Sequence, residues 1–397
     1  MFAPFASANL QHLAVRPDPD RAAHDVLSPA DFDEACGEIV NWPGYEATPL
    51  VALDGLAAQL GLARIDYKHE GPRFGLGSFK ALGGSYAALR VLQRELSKRL
   101  GRAVDPYEIR NGTLADACRA ITLVSATDGN HGRSLAWGCQ RFGAPCRIYI
   151  HAEVSEGRAA AMRELGAEVI RIKGDYDESV RLAKDEAAAN GWFVVSDTSW
   201  PGYSAPPRDV MAGYGVMTRE ICETLQQPPT HVFLQGGVGG LAASVAAGLR
   251  QHYGDAAPRV VIVEPELAAC LFESAARGRA TSVAISQETI MAGLSCGEPS
   301  EMAWDILREE ATDYITIPDG IVAPTVRLLA RGDYGDAPLE AGESAVAGLA
   351  AVIAACQSDE LSVNLGLSDV SRILLIGSEG VTDPEIFSAI MQGNDHV

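Results

Sequence analysis

From Ile121 onward, short runs rich in β-branched and aromatic residues alternate with longer stretches whose apolar positions recur at helical spacing. The runs ITLVS (121–125), RIYIH (147–151), VIRIK (169–173) and WFVVS (192–196) predict strands, and 156–165 and 176–189 predict helices between them. Gly166, Gly174 and Gly191 stand where those helices end. The alternation reads as repeated β-α-β units and hence a parallel sheet. A second block repeats the theme with HVFLQ (231–235), RVVIVEP (259–265) and RILLIG (372–377), separated by Ala-rich helical patterns. Its strands are near-continuous apolar runs, as expected for strands covered on both faces, so a second sheet is predicted. The Pro- and Gly-rich stretch 201–215 is expected to be a crossing between the blocks, because both residues interrupt helix and strand. Residues 1–47 carry no regular pattern and are expected to form an arm or cover over the larger domain. No internal repeat or low-complexity tract interrupts the chain.

Length and composition narrow this picture. With 397 residues, 47% hydrophobic and 21% charged, the chain is long enough for two packed cores. The 52 acids and 32 bases are spread along it, giving a net charge of −20. Nucleic-acid binders cluster Lys and Arg instead, so no nucleic-acid partner is expected. The longest uncharged apolar runs, 236–249 and 345–356, are too short for a membrane span, and no membrane partner is expected. The first ten residues lack a cationic start or cleavage pattern, so a cytoplasmic protein is expected. Eight cysteines are scattered without a C-x-x-C pair, which argues against a zinc ribbon and any other metal site of that kind. Cys270 and Cys296 fall in segments expected near the mouth of a site, and a bridge between them stays open.

Three segments carry candidate chemistry. QGGVGGLAA (235–243) follows an apolar strand and opens a helical pattern, so backbone N–H groups at Gly236, Gly237, Val238, Gly239 and Gly240 can cradle a phosphate. The same run reads as G-x-G-x-x-A with Glu264 ending the next strand, which is also compatible with a dinucleotide site or with a turn that binds nothing. In HEGPRFGLGSFKALGGSYAAL (69–89), Lys80 lies between Phe79 and a small-residue helix start. Glycines and an aromatic neighbour suit a desolvated Schiff-base lysine beside a flat cofactor, although a solvent-facing lysine at a helix start fits too. SATDGNHG (125–132) turns from strand into helix through Thr127, Asp128, Gly129, Asn130 and His131, a form suited to binding a carboxylate. Asp128 is equally readable as a helix N-cap, Asp197 as the cap of a strand-end turn, and His131 as a packed loop residue.

Ser78-Phe79-Lys80, the loop 127–131, GGVGG (236–240) and Gly377-Ser378 occur in an order that resembles the fold-type II pyridoxal-phosphate (PLP) enzymes, the tryptophan-synthase-β and threonine-dehydratase superfamily. Within it, RFGLGSFKALGG (73–84), SATDGNHG (125–132), SDTSWPGY (196–203), EPELAACLF (264–272), TIMAGLSCGEPS (289–300) and AGES (341–344) are similar to the diaminopropionate ammonia-lyase family, from about Pro43 onward. The resemblance implies two three-layer α/β/α domains with the cofactor in the cleft between them, the larger formed by 1–87 and 216–397 and the smaller by 88–215. It implies that Lys80 carries PLP as a Schiff base, that 236–240 hold its phosphate, that Asn130 meets its phenolic oxygen and Ser378 its pyridine nitrogen. Thr127, Asp128, Gly129, His131 and Asp197 are implied to face the substrate, with Lys80, Asp128 and Asp197 catalytic. The implied reaction is α,β-elimination from D- or L-2,3-diaminopropionate, giving pyruvate and two ammonia, by a homodimer. A hydroxyl rather than a carboxylate at the pyridine nitrogen favours prompt expulsion of a β-substituent, and a carboxylate near the β-amino group helps it leave protonated. Three other readings stay open: a serine or threonine dehydratase, an idle PLP or amino-acid binding protein, and a nicotinamide oxidoreductase. Trp200, Tyr203 and Trp304 are candidates for pocket walls or for core.

Overall fold

The structure, a computed structural model, describes residues 2–17, 26–127, 129–174 and 176–394. The chain divides into two compact units, one comprising residues 1–29, 47–79 and 217–397 and the other 30–46 and 80–216. Residues 30–46, 80–87 and 216, expected in the larger domain, therefore group with the smaller unit.

The larger unit is built on a seven-stranded sheet. Its strands are β1 (Gln11–Ala14), β2 (Leu50–Ala52), β3 (Arg64–His69), β8 (His231–Gln235), β9 (Arg259–Pro265), β10 (Ala311–Ile317) and β11 (Arg372–Gly377). They lie in the order β1-β10-β9-β8-β11-β3-β2, parallel except for the two edge strands, which run antiparallel to their neighbours. The predicted strands 231–235, 259–265 and 372–377 are found with those bounds, because Val, Ile and Leu buried on both faces leave an unmistakable run. The helix Ala347–Cys356 packs on β8, β9 and β10, and its residues Ala347–Ala355 are buried all round. Among the described residues no single helix is long and apolar enough to cross a membrane.

The smaller unit holds a four-stranded parallel sheet in the order β6-β5-β4-β7, from β4 (Leu123–Ala126), β5 (Cys146–Ile150), β6 (Glu168–Arg171) and β7 (Phe193–Val194). The predicted helices appear as Glu156–Glu164 and Tyr176–Asn190. Two helices pack especially closely, Lys80–Leu100 and Asn130–Phe142, because small residues face each other. A Cβ on Gly84 would lie 2.6 Å from Ser134 Oγ, and one on Gly138 would lie 2.8 Å from Ser85 Cα. The Ser134 hydroxyl donates to the Lys80 carbonyl at 2.5 Å and the Ser85 hydroxyl to the Ser134 carbonyl at 2.8 Å.

Two expectations are corrected. The stretch 201–215 is no irregular crossing, since a helix runs over Ala205–Thr224. Pro206 and Pro207 fall in its first turn, where backbone N–H groups have no helical partner to lose. Gly213 is there for close approach, as a Cβ would meet the Leu82 carbonyl oxygen at 2.6 Å. Nor is 1–47 wholly irregular: β1 extends the sheet edge along β10, and Pro29–Ile39 is a helix that buries Phe32, Ala35, Cys36 and Ile39.

Candidate active site

In the larger unit, the glycine turn follows β8 and Ser378 follows β11, its parallel neighbour. Both therefore lie at the carboxyl edge of the sheet, where open α/β folds bind ligands. The carbonyls of the turn are committed to the protein. Gly236 accepts from the Gly239 N–H at 3.1 Å, Val238 from the Ser300 N–H at 2.9 Å, and Gly237 from Cys270 Sγ at 3.5 Å. Gly239, at φ +95°, is the N-cap of the helix Gly240–Tyr253 and has no side chain to cap it. Of the five expected N–H donors, Gly236 donates instead to the Val263 carbonyl at 2.9 Å and Gly239 to the Gly236 carbonyl, so this buried, uncapped helix start leaves those of Gly237, Val238 and Gly240 for an anion. Gly236 cannot carry a side chain, because a Cβ would lie 2.5 Å from Glu264 Cγ.

Glu264 sits beneath this turn, fully buried, and sequence reasoning treated it only as a mark of a dinucleotide site. Burial pushes its carboxyl up to about 8, although the N–H groups of Leu271 and Phe272 donate to it at 2.9 and 2.7 Å. Because the folded value exceeds the ordinary 4.5, the folded chain holds a proton there that the unfolded chain releases. Glu264 thus contributes stability that is complete below about 4.5 and lost as pH climbs to about 8. We expect Glu264→Gln to flatten this component: the fall in stability of wild type relative to the variant, between pH ~5 and ~8, should be a few kcal/mol by chemical denaturation.

The segment leading to Lys80 is anchored by buried charge. Arg73 pairs with Glu70 and Glu220 at 2.8 Å each, Lys68 pairs with Glu220 at 2.5 Å, and Thr48 donates to Glu70 at 2.5 Å. Two acids answer two bases, so no net charge is buried. Phe74 follows with φ 52°, a left-handed conformation held by these anchors. Ser78 then bridges to Glu379, and the N–H of buried Phe79 donates to the Ser378 carbonyl at 3.0 Å. Lys80 is the next residue.

In the smaller unit, Lys80 Nζ donates to Asp197 Oδ2 at 2.5 Å. These residues stand 117 positions apart in the chain. His131 is buried, its Nε2 lies 2.9 Å from the Val195 carbonyl, and its Nδ1 faces Asp197 Oδ2 at 3.9 Å. The Val195 oxygen can only accept, so Nε2 carries a proton. Nδ1 makes no hydrogen bond, leaving a buried nitrogen beside the carboxylate. Burial would raise the Asp197 carboxyl, but the Lys80 ammonium and His131 outweigh it and hold the group well below the ordinary carboxylate range. Asp197 is therefore an anion at neutral pH and a seat for an ammonium.

The remaining predicted residues are placed as follows. The Thr127 hydroxyl accepts from the N–H groups of Gly129 and Gly132 at 3.1 and 3.3 Å, which shapes the loop. Asn130 opens the helix Asn130–Phe142. Asp128 lies outside the described residues. Cys270 and Cys296 are not joined by a disulfide. Trp304 is buried core, and Trp200 and Tyr203 stack on each other at 4.0 Å along a separate cavity. Ser134, which sequence reasoning missed, was signalled only by the small residues spaced along both helices.

Within the larger unit the uncapped glycine turn fits a phosphate, and within the smaller unit the Lys80 amine is of the kind that takes an aldehyde. Together with the four-stranded parallel sheet and the seven-stranded sheet parallel in all but its edges, these features fit an α/β enzyme of fold type II that uses pyridoxal phosphate. The model of the pyridoxal-phosphate dependent enzyme family matches residues 42–376. A diaminopropionate ammonia-lyase of Escherichia coli (strain K12) is 37% identical over 359 residues, covering 89% of each chain. The crystal structure of the Escherichia coli enzyme in complex with D-serine superposes with a TM-score of 0.89 at 32% identity, covering 98% of this chain and 99% of that one. Its complex with an aminoacrylate-PLP azomethine reaction intermediate gives 0.88 at 33% identity, covering 98% of both. The chain belongs to the diaminopropionate ammonia-lyase family.

Proposed function

We propose that this chain converts 2,3-diaminopropionate, in both D and L forms, and water into pyruvate and two ammonia. The observation that carries the reading is the contact of the Lys80 ammonium with Asp197. When Lys80 is committed to the cofactor, the seat it vacates at Asp197 suits the β-ammonium of the substrate, keeping that amine protonated and ready to leave. His131, whose Nδ1 lies beside the same carboxylate, also faces the substrate. The N–H groups at Gly237, Val238 and Gly240 would hold the cofactor phosphate, with Asn130 for its phenolic oxygen, Ser378 for its pyridine nitrogen and Phe79 as a neighbour. When bound, PLP supplies a sink for the electron pair left at Cα. Lys80, once released, takes the Cα proton from one face, and Asp128 serves the opposite face for the other stereoisomer. Thr127 and Gly129 shape the loop that receives the substrate carboxylate. The enzyme works as a cytoplasmic homodimer on a small amino acid, without nucleic-acid or membrane partners. The test is an ultraviolet-visible titration of holoenzyme with each stereoisomer, coupled to pyruvate detection and run beside serine and threonine. Pyruvate from the diamine at higher kcat/KM than from serine supports the proposal, whereas pyruvate from serine alone would make it a dehydratase and reject it.

A further inference from the structure

The smaller unit carries a cavity of about 600 Å³ that the reaction does not use. Its walls include Trp192, Trp200 and Tyr203, and its rim carries Arg94, Lys98 and Lys184. The chain contains only five lysines, at 68, 80, 98, 173 and 184, so two of them meeting at one cavity is a marked concentration in a molecule with a net charge of −20. The acid on the wall, Glu95, is engaged by Arg99 at 2.8 Å, and Arg94 is engaged by Asp209 at 2.7 Å. Lys98 and Lys184 have no carboxylate partner among the described residues. Lys184 Nζ instead sits 3.5 Å from the centre of the Trp200 ring. Aromatic walls beside two cations without counter-ions complement a flat, apolar body ending in a negative charge.

We propose that this cavity binds a small aromatic carboxylate, its charge held by Lys98 and Lys184 and its ring among the aromatic side chains. The wall is tied to the catalytic loop. The Tyr203 hydroxyl donates to the Val194 carbonyl at 3.0 Å and accepts from the Ser196 N–H at 2.9 Å, clasping the backbone immediately before Asp197. A ligand against Tyr203 and Trp200 therefore bears on the strand end that sets Asp197.

Binding can be read without reference to turnover, by calorimetric titration of holoenzyme with 2-naphthoate. One saturable site per chain is expected, weakened at least about tenfold in the double variant Lys98→Gln/Lys184→Gln, which keeps the aliphatic stems. The neutral 2-naphthamide should bind at least about tenfold more weakly than the acid. Location follows from acetylation by acetic anhydride read by mass spectrometry: naphthoate should slow modification at Lys98 and Lys184 and leave exposed Lys173 unchanged. Absence of saturable binding, equal affinity in the double variant, or equal protection of Lys173 would overturn the proposal.

Discussion

Lys80→Ala should reduce turnover of diaminopropionate by at least about 10⁴-fold, since in the proposed mechanism Lys80 is both the covalent anchor of the cofactor and the base that takes the Cα proton. The assignment can also be read without kinetics. Borohydride reduction of wild-type holoenzyme should fix the cofactor on a single peptide, the one containing Lys80, and the variant should show no adduct. With only five lysines in the chain, the alternatives at 68, 98, 173 and 184 are few and separable. Lys68 is spent on Glu220 and the Thr48 carbonyl, at 2.5 and 2.7 Å. An adduct on any of these four would sink the assignment.

Asp197→Asn should be the next most damaging change, and its effect should depend on the substrate. Asn keeps the shape of the side chain but loses the charge that seats an ammonium. Truncating one member of a buried charge pair costs roughly 2–4 kcal/mol, which corresponds to a loss in kcat/KM of about 30- to 900-fold for the diamine. Serine carries a neutral hydroxyl at the same carbon, so its turnover should fall by less than about tenfold. Equal losses for both substrates would mean that Asp197 acts on something they share, such as the orientation of Lys80. The variant also removes a carboxylate within hydrogen-bond reach of Lys80. Spectral titration of the cofactor linkage will therefore separate the two roles.

The legible parts of the sequence were those in which burial and pattern agree. β8, β9 and β11 consist of apolar residues covered on both faces, and they announced themselves. β3 and β10 did not. β3 contains Asp66 and Lys68, and β10 contains Asp313, all buried. Their partners are Arg64, Glu220 and Arg259, of which the last two come from distant segments. A charged residue whose counter-ion lies over fifty positions away looks, in sequence, like a residue destined for solvent. Pro206 and Pro207 misled for a related reason, because a proline breaks a helix only beyond its first turn.

The site shows the same division. Lys80, Asp197, His131 and the glycine turn could be named from local motifs and family resemblance. The ion pair of Lys80 with Asp197 could not, since it joins residues 117 positions apart. The burial that raises Glu264 was hidden too, because a strand-ending acid is compatible with several unrelated sites.

The packing of Gly84 against Ser134 and of Gly138 against Ser85 has a consequence for how this enzyme can vary. Lys80 and Asn130 stand at the first turns of two helices that touch almost backbone to backbone, so they behave as one rigid jaw rather than two independent fingers. A methyl group added at Gly84 or Gly138 would wedge that jaw open and misaim both ends at once. Mutational drift along this seam is thus felt at the reacting atoms as directly as drift in the residues that touch them.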